Sequence, residues 1–134
     1  MGGRFWIFIA ALLGGLSVIA GAIGAHKLPS SASLAVPIQI FSTGQFYHAL
    51  HALALFGTGM LLYVTEGRRT SWAGWAIEGA AAAFALGILC FSGAIYVQVI
   101  EGFTSSGGIV PIGGVLLIAG WAALAIGACG LRRT

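Results

Sequence analysis

Four apolar stretches, each long enough to cross the hydrocarbon of a bilayer, occupy most of this chain: roughly residues 5–25, 46–65, 72–99 and 109–131. A spanning helix needs about 20 mainly apolar residues. Three polar or turn-rich breaks, HKLPSSAS, EGRRTS and EGFTSSGG, separate the stretches. The competing architecture is a small soluble helical core, which requires polar side chains to clothe its outer faces. Here 59% of 134 residues are hydrophobic and only 7% are charged, too few for that coat. The expected fold is therefore all-α: one domain, residues 1–134, forming a compact four-helix transmembrane bundle.

An even number of spans puts both termini on one side. Arg4, Arg68, Arg69, Arg132 and Arg133 fall on that side and Lys27 on the other. Positive residues concentrate in cytoplasmic loops, so both termini are expected in the cytoplasm, with a long external first loop running from Lys27 to Gly44. Within that loop LAVPIQIF is apolar enough to lie at the interface or fold back on the bundle, and Pro37 argues against one uninterrupted helix. The net charge of +3 follows from these orientation signals. No basic run is interleaved with stacking aromatics, which excludes a nucleic-acid surface and leaves membrane lipids as the expected surroundings. Arg4 before an apolar run resembles a secretory signal, but a run of span length is expected to remain as a first helix.

Small residues recur at spacings of three and four on three of the segments. Gly14, Ser17, Gly21 and Gly24 mark the first, Gly79, Ala83 and Gly87 the third, and Ala119, Ala123 and Gly127 the fourth. Helices in lipid associate by close backbone approach, so these stripes are expected seams, within the chain or between copies.

Polar residues converge near the expected external ends of the spans. His26 closes the first, and His48 and His51 open the second, sharing a helix face at i and i+3; Tyr96 lies toward the outer end of the third. These four are the candidate ligand contacts for a cofactor or small molecule, since imidazole can ligate metal or haem and can carry a proton near neutral pH. No CxxCH or zinc spacing is present, and neither metal nor cofactor is indicated beyond that. Structural hydrogen bonding is the stronger reading of the histidines. Glu78 is expected to pair with Arg68 or Arg69 at the cytoplasmic headgroups. Cys90 and Cys129 lie at different depths and are not expected to bond to each other. Trp6, Trp72, Trp75 and Tyr96 suit interfacial anchoring, and Trp121 suits packing. The hydroxyl of Ser92, four residues before Tyr96, is expected to return to its own helix backbone.

The stretches GAIGAHKL, FYHALHALALF, GILCFSGAIY and PIGGVLLIAGW, in that order from Gly21 to Trp121, resemble the YgdD-like family of small integral-membrane proteins, domain of unknown function family 423. The resemblance implies four membrane helices and a pattern falling on Gly24, Ala25 and His26, then Tyr47 and His51, then Phe91, Ser92, Gly93 and Tyr96, then Pro111, Gly113 and Gly114. Gly21, Gly24, Ser92, Gly93, Pro111, Gly113 and Gly114 are expected to be packing positions. Glu78 is outside the pattern. The family supplies no reaction, ligand or catalytic residue.

The function expected from these observations is a non-enzymatic accessory, assembly or membrane-organising protein of the bacterial cytoplasmic (inner) membrane, working against a membrane-protein partner or a second copy of itself. A lipid-, quinone- or metal-cofactor-binding protein using the external histidines is the alternative. A small permease or proton-conducting oligomer is a further one.

Overall fold

The computed structural model describes residues 2–27, 35–67, 70–101 and 108–131. Four helical spans make up the fold: α1 (Gly3–Lys27), α2 (Ala35–Val64), a third span built of α3 (Ser71–Ile88), a π-helical turn (Leu89–Gly93) and α4 (Ala94–Glu101), and α5 (Ile109–Ala128). All four are long and apolar enough to cross a membrane. Helix is the form that lets an open chain satisfy its own backbone groups in hydrocarbon.

The second span departs most from the expected boundaries, beginning at Ala35 instead of Phe46. Pro37 is compatible with this because it sits in the first turn, where a backbone N–H has no intrahelical partner to lose. Pro111 stands likewise in the first turn of α5. Much of the expected first loop is thus helix. At its other end α2 stops at a turn where Gly67 takes φ +76°, a left-handed conformation that glycine adopts without a Cβ penalty.

The spans run alternately up and down and pack in series. Arg4, near the start of α1, lies 5.5 Å over the Tyr63 ring near the end of α2, and Thr70, heading α3, donates its N–H to the Gly130 carbonyl beyond α5 at 3.3 Å. α1 lies along α2, α2 along the third span, and the third span along α5. The inner two spans are more extensively buried than the outer two, as this order requires. Arg68, Arg69, Arg132 and Arg133 lie outside the described residues, and so does the expected pairing of Glu78 with Arg68 or Arg69.

Heptad spacing organises the seams. On α1 the buried positions are Gly3, Trp6, Ala10, Leu13, Ser17 and Ala20, alternating steps of three and four. On α5 they are Gly113, Leu117, Gly120 and Gly127. A period of 3.5 is the geometry of left-handed helix pairs. This register corrects the expected stripes: Ser17, Gly87 and Gly127 are in the seams, whereas a Cβ on Gly14 or Gly79 would meet nothing within 4 Å and Ala119 is exposed. Trp6 is likewise a core residue, 7% exposed, because the heptad turns it toward α2. Trp72 and Trp75 are exposed, and both cysteines are free thiols.

Two glycines of the third span separate seam from surface in a simple experiment. A Cβ on Gly87 would stand 2.8 Å from Leu117 Cγ and 3.2 Å from its backbone nitrogen, so Gly87→Ala should destabilise by about 1–3 kcal/mol. Gly79→Ala should be neutral or stabilising by up to ~1 kcal/mol, the helix preference of alanine over glycine. Unfolding in mixed micelles would check both; equal effects at the two sites would contradict this packing.

Candidate functional site

Three of the buried polar side chains, His48, His51 and Ser92, gather where α2 faces the third span and α5. Because α2 begins at Ala35, His48 and His51 stand near the middle of a 30-residue helix and not at its external end. His51 lies against Phe84 of α3 and Trp121 of α5, with ring centroids 5.7 and 6.1 Å away, and both of these residues are themselves near the centres of their spans.

His51 is 3% exposed and both its ring nitrogens are engaged. Trp121 donates its indole N–H to Nε2 at 3.1 Å. Since indole is a donor only, Nε2 must be the unprotonated nitrogen, and Nδ1–H donates to the Tyr47 carbonyl one turn earlier at 2.8 Å. The partners thus fix a neutral imidazole in one tautomer. Tyr47 also stacks on it, with an interplanar angle of 11° and 5.8 Å between centroids. No lone pair of His51 remains for a metal in this arrangement.

His48, one turn nearer the start of α2 and 5% exposed, forms the second half of the site. Its Nδ1 is 3.2 Å from the Tyr96 hydroxyl, and Tyr96 packs against Phe41 at 4.9 Å. Nε2 is buried with no hydrogen bond of full geometry among the described residues, and its marginal partner is the Leu13 backbone of α1. Ser92 is fully buried and its hydroxyl also has no partner, contrary to the expected bond to its own helix. The π-helical turn supplies the reason: its hydrogen bonds reach one residue further back, so the carbonyl that ordinarily lies beneath a serine hydroxyl is out of line. His26 lies exposed in the last turn of α1.

Packing ties the separate sequence motifs to this network. Gly24 leaves room for the Phe41 ring, which a Cβ there would meet at 2.6 Å; Phe41 in turn supports Tyr96. Phe91 lies 5.2 Å from the Tyr47 ring. Gly113 lets α5 rest on the backbone of the π-helical turn, where an added Cβ would come 2.7 Å from the Cys90 carbonyl carbon. Gly21 and Gly114 are looser, with first contacts at 3.4 and 3.8 Å, and Gly93 faces open space. Trp121 is the site residue that the motif pattern did not single out. A tryptophan N–H in an apolar span usually finds an acceptor, and that tendency is the signal that could have joined Trp121 to a histidine, although the buried Trp6 Nε1 has no partner among the described residues.

Glu78 stands apart, near the start of α3, beside Thr70, Ser71 and Trp75. Among the described residues no group of three or more His, Cys, Asp or Glu side chains could hold a metal ion.

Comparison with known proteins gives one consistent result. Residues 20–114 match the model of a family described as "Protein of unknown function (DUF423)". The chain is 37% identical to the UPF0382 inner membrane protein YgdD of Escherichia coli K12, over 99% of this chain and 95% of that protein. It is 33% identical to a UPF0382 membrane protein of Staphylococcus saprophyticus, over 92% and 96%, and 37% identical to one of Staphylococcus aureus, over 92% and 93%. No solved structure matches.

Proposed function

This chain belongs to the DUF423 family of integral membrane proteins, and on that premise we propose that it is a non-enzymatic accessory or assembly component of the cytoplasmic (inner) membrane, acting through its lipid-facing helices on a membrane-protein partner. The observation that carries this reading is the engagement of both His51 nitrogens by protein groups. The most conspicuous polar residue of the interior spends its hydrogen-bonding capacity holding α2 to α5. Four motifs widely separated in sequence converge on that task, which is the economy of a packing device. The connections between spans are short, so the surface available for recognition is largely the outer faces of α1 and α5. On α5 these carry Ile112, Val115, Ile118 and Ile126, all more than half exposed.

The localisation rests on the membrane composition of the chain together with the name of the Escherichia coli relative. Ligation of a cofactor by the histidines is less well supported: His51 is already satisfied and His26 lies exposed at the end of α1. A proton path is less well supported too, because buried Ala80, Ala81 and Phe84 separate Glu78 from the histidine level.

A photo-crosslinking residue at Val115 or Ile118 in native membranes tests the proposal. The expected result is a discrete protein adduct, lost when the same position is made bulkier. Lipid adducts alone, or a purified protein carrying a visible absorption band abolished by His48→Leu, would sink it.

A further inference from the structure

One groove between α1 and α2 is left uncovered by the rest of the described residues. Buried Ala10, Ser17 and Ala52 form its floor, and exposed Val18, Leu53 and Phe56 form its rim. Its volume is about 550 Å³. Gly14 lines it too, and a Cβ there would meet nothing within 4 Å. At Gln45 the groove meets a second concavity of about 300 Å³ that continues past Gly21, Phe41 and Ser42 toward the end of α1. Gln45 lines both.

Polarity and length together select an occupant. The outer concavity offers the Gln45 amide and the oxygen of Ser42, whose hydroxyl proton goes to the Ile38 carbonyl at 2.9 Å; beyond Ser17 the groove is lined by alanine, glycine, leucine and phenylalanine alone. From Gln45 to Phe56 is ~16 Å of helix, close to the ~15 Å hydrocarbon depth of one leaflet. Below this level the groove closes: Gly59 brings the two helices so near that a Cβ on it would stand 2.9 Å from the Ile7 nitrogen. A spanning helix would need a groove about twice as long. We propose that the groove seats one acyl chain of a membrane glycerophospholipid, with Gln45 donating its amide N–H to the ester carbonyl and the headgroup lying over Ser42. The site is separate from the histidine network and does not depend on the accessory role.

The test uses the full chain reconstituted in vesicles of phosphatidylethanolamine and phosphatidylglycerol, extracted into mild detergent and weighed by native mass spectrometry. One phospholipid per chain is expected on the wild-type protein. The same is expected for Gly15→Leu, a control because Gly15 also meets open space but does not line the groove. Gly14→Phe and Ala49→Leu should lower occupancy about tenfold or more by filling the groove, and Gln45→Leu about fivefold, the worth of one hydrogen bond. Circular dichroism checks that each variant is helical; should Gly14→Phe not fold, Ala49→Leu and Gln45→Leu carry the test. Absence of phospholipid from the wild type, equal retention by the filled variants, or a quinone or second-copy mass in its place would overturn the proposal.

Discussion

Gly113→Val is expected to be the most damaging single substitution in the protein. Gly113 faces the backbone of the π-helical turn, and a Cβ there would stand 2.7 Å from the Cys90 carbonyl carbon and 2.8 Å from Phe91 Cα. Both obstacles are main chain, so no rotamer change can make room, and α5 must move away from the third span. Displacement would also carry Trp121 from His51, since both contacts lie on α5. Overpacking usually costs 1–3 kcal/mol, and a backbone obstacle belongs at the upper end, about 3 kcal/mol. Gly113→Ala should show a smaller loss, about 1–2 kcal/mol. Steric trapping in bicelles measures these values. Stability of the valine variant within ~0.5 kcal/mol of wild type would show that the helices do not approach this closely.

His51→Ala should follow with a loss of about 2–3 kcal/mol, from the cavity left by a fully packed ring and from a Trp121 N–H stranded in apolar surroundings. Trp121→Phe removes the donor but keeps a ring and should cost less, about 1 kcal/mol. A double-mutant cycle with His51→Leu and Trp121→Phe separates these contributions. Coupling of about 0.6–1.7 kcal/mol, the range of interhelical hydrogen bonds in lipid, is the expected result. Additive losses would mean that the 3.1 Å contact contributes nothing to stability, and the packing account of the histidine would fail with it.

The four spans were legible because their signal is local. A run of apolar residues bounded by HKLPSSAS or EGRRTS declares its helix without reference to any neighbour. Boundaries were legible only where the flanking chemistry is unambiguous. Ala35–Gly44 read as loop because Pro37 is a helix breaker in an interior turn and harmless in a first one, and which turn it occupies depends on where the helix begins. That single displacement put His48 and His51 near the middle of α2 instead of at its start. The small-residue stripes had a comparable ambiguity. On a helix apolar all round, Gly14 and Gly113 are equivalent letters; one faces open groove and the other a neighbouring backbone.

By itself the sequence determined that this is an all-helical membrane protein of four spans, because transfer of apolar residues into hydrocarbon and satisfaction of the backbone by helix are properties of each segment alone. Its resemblance to the family also marked Tyr47, His51, Ser92, Tyr96 and Gly113 as belonging to one pattern. Only the tertiary structure decided what they do together. The proton position on His51 is set by Trp121, 70 residues away, and the requirement for glycine at position 113 is set by a π-helical turn on another span. Both are relations between helices in a uniformly apolar setting, where no amphipathic pattern records which face meets which.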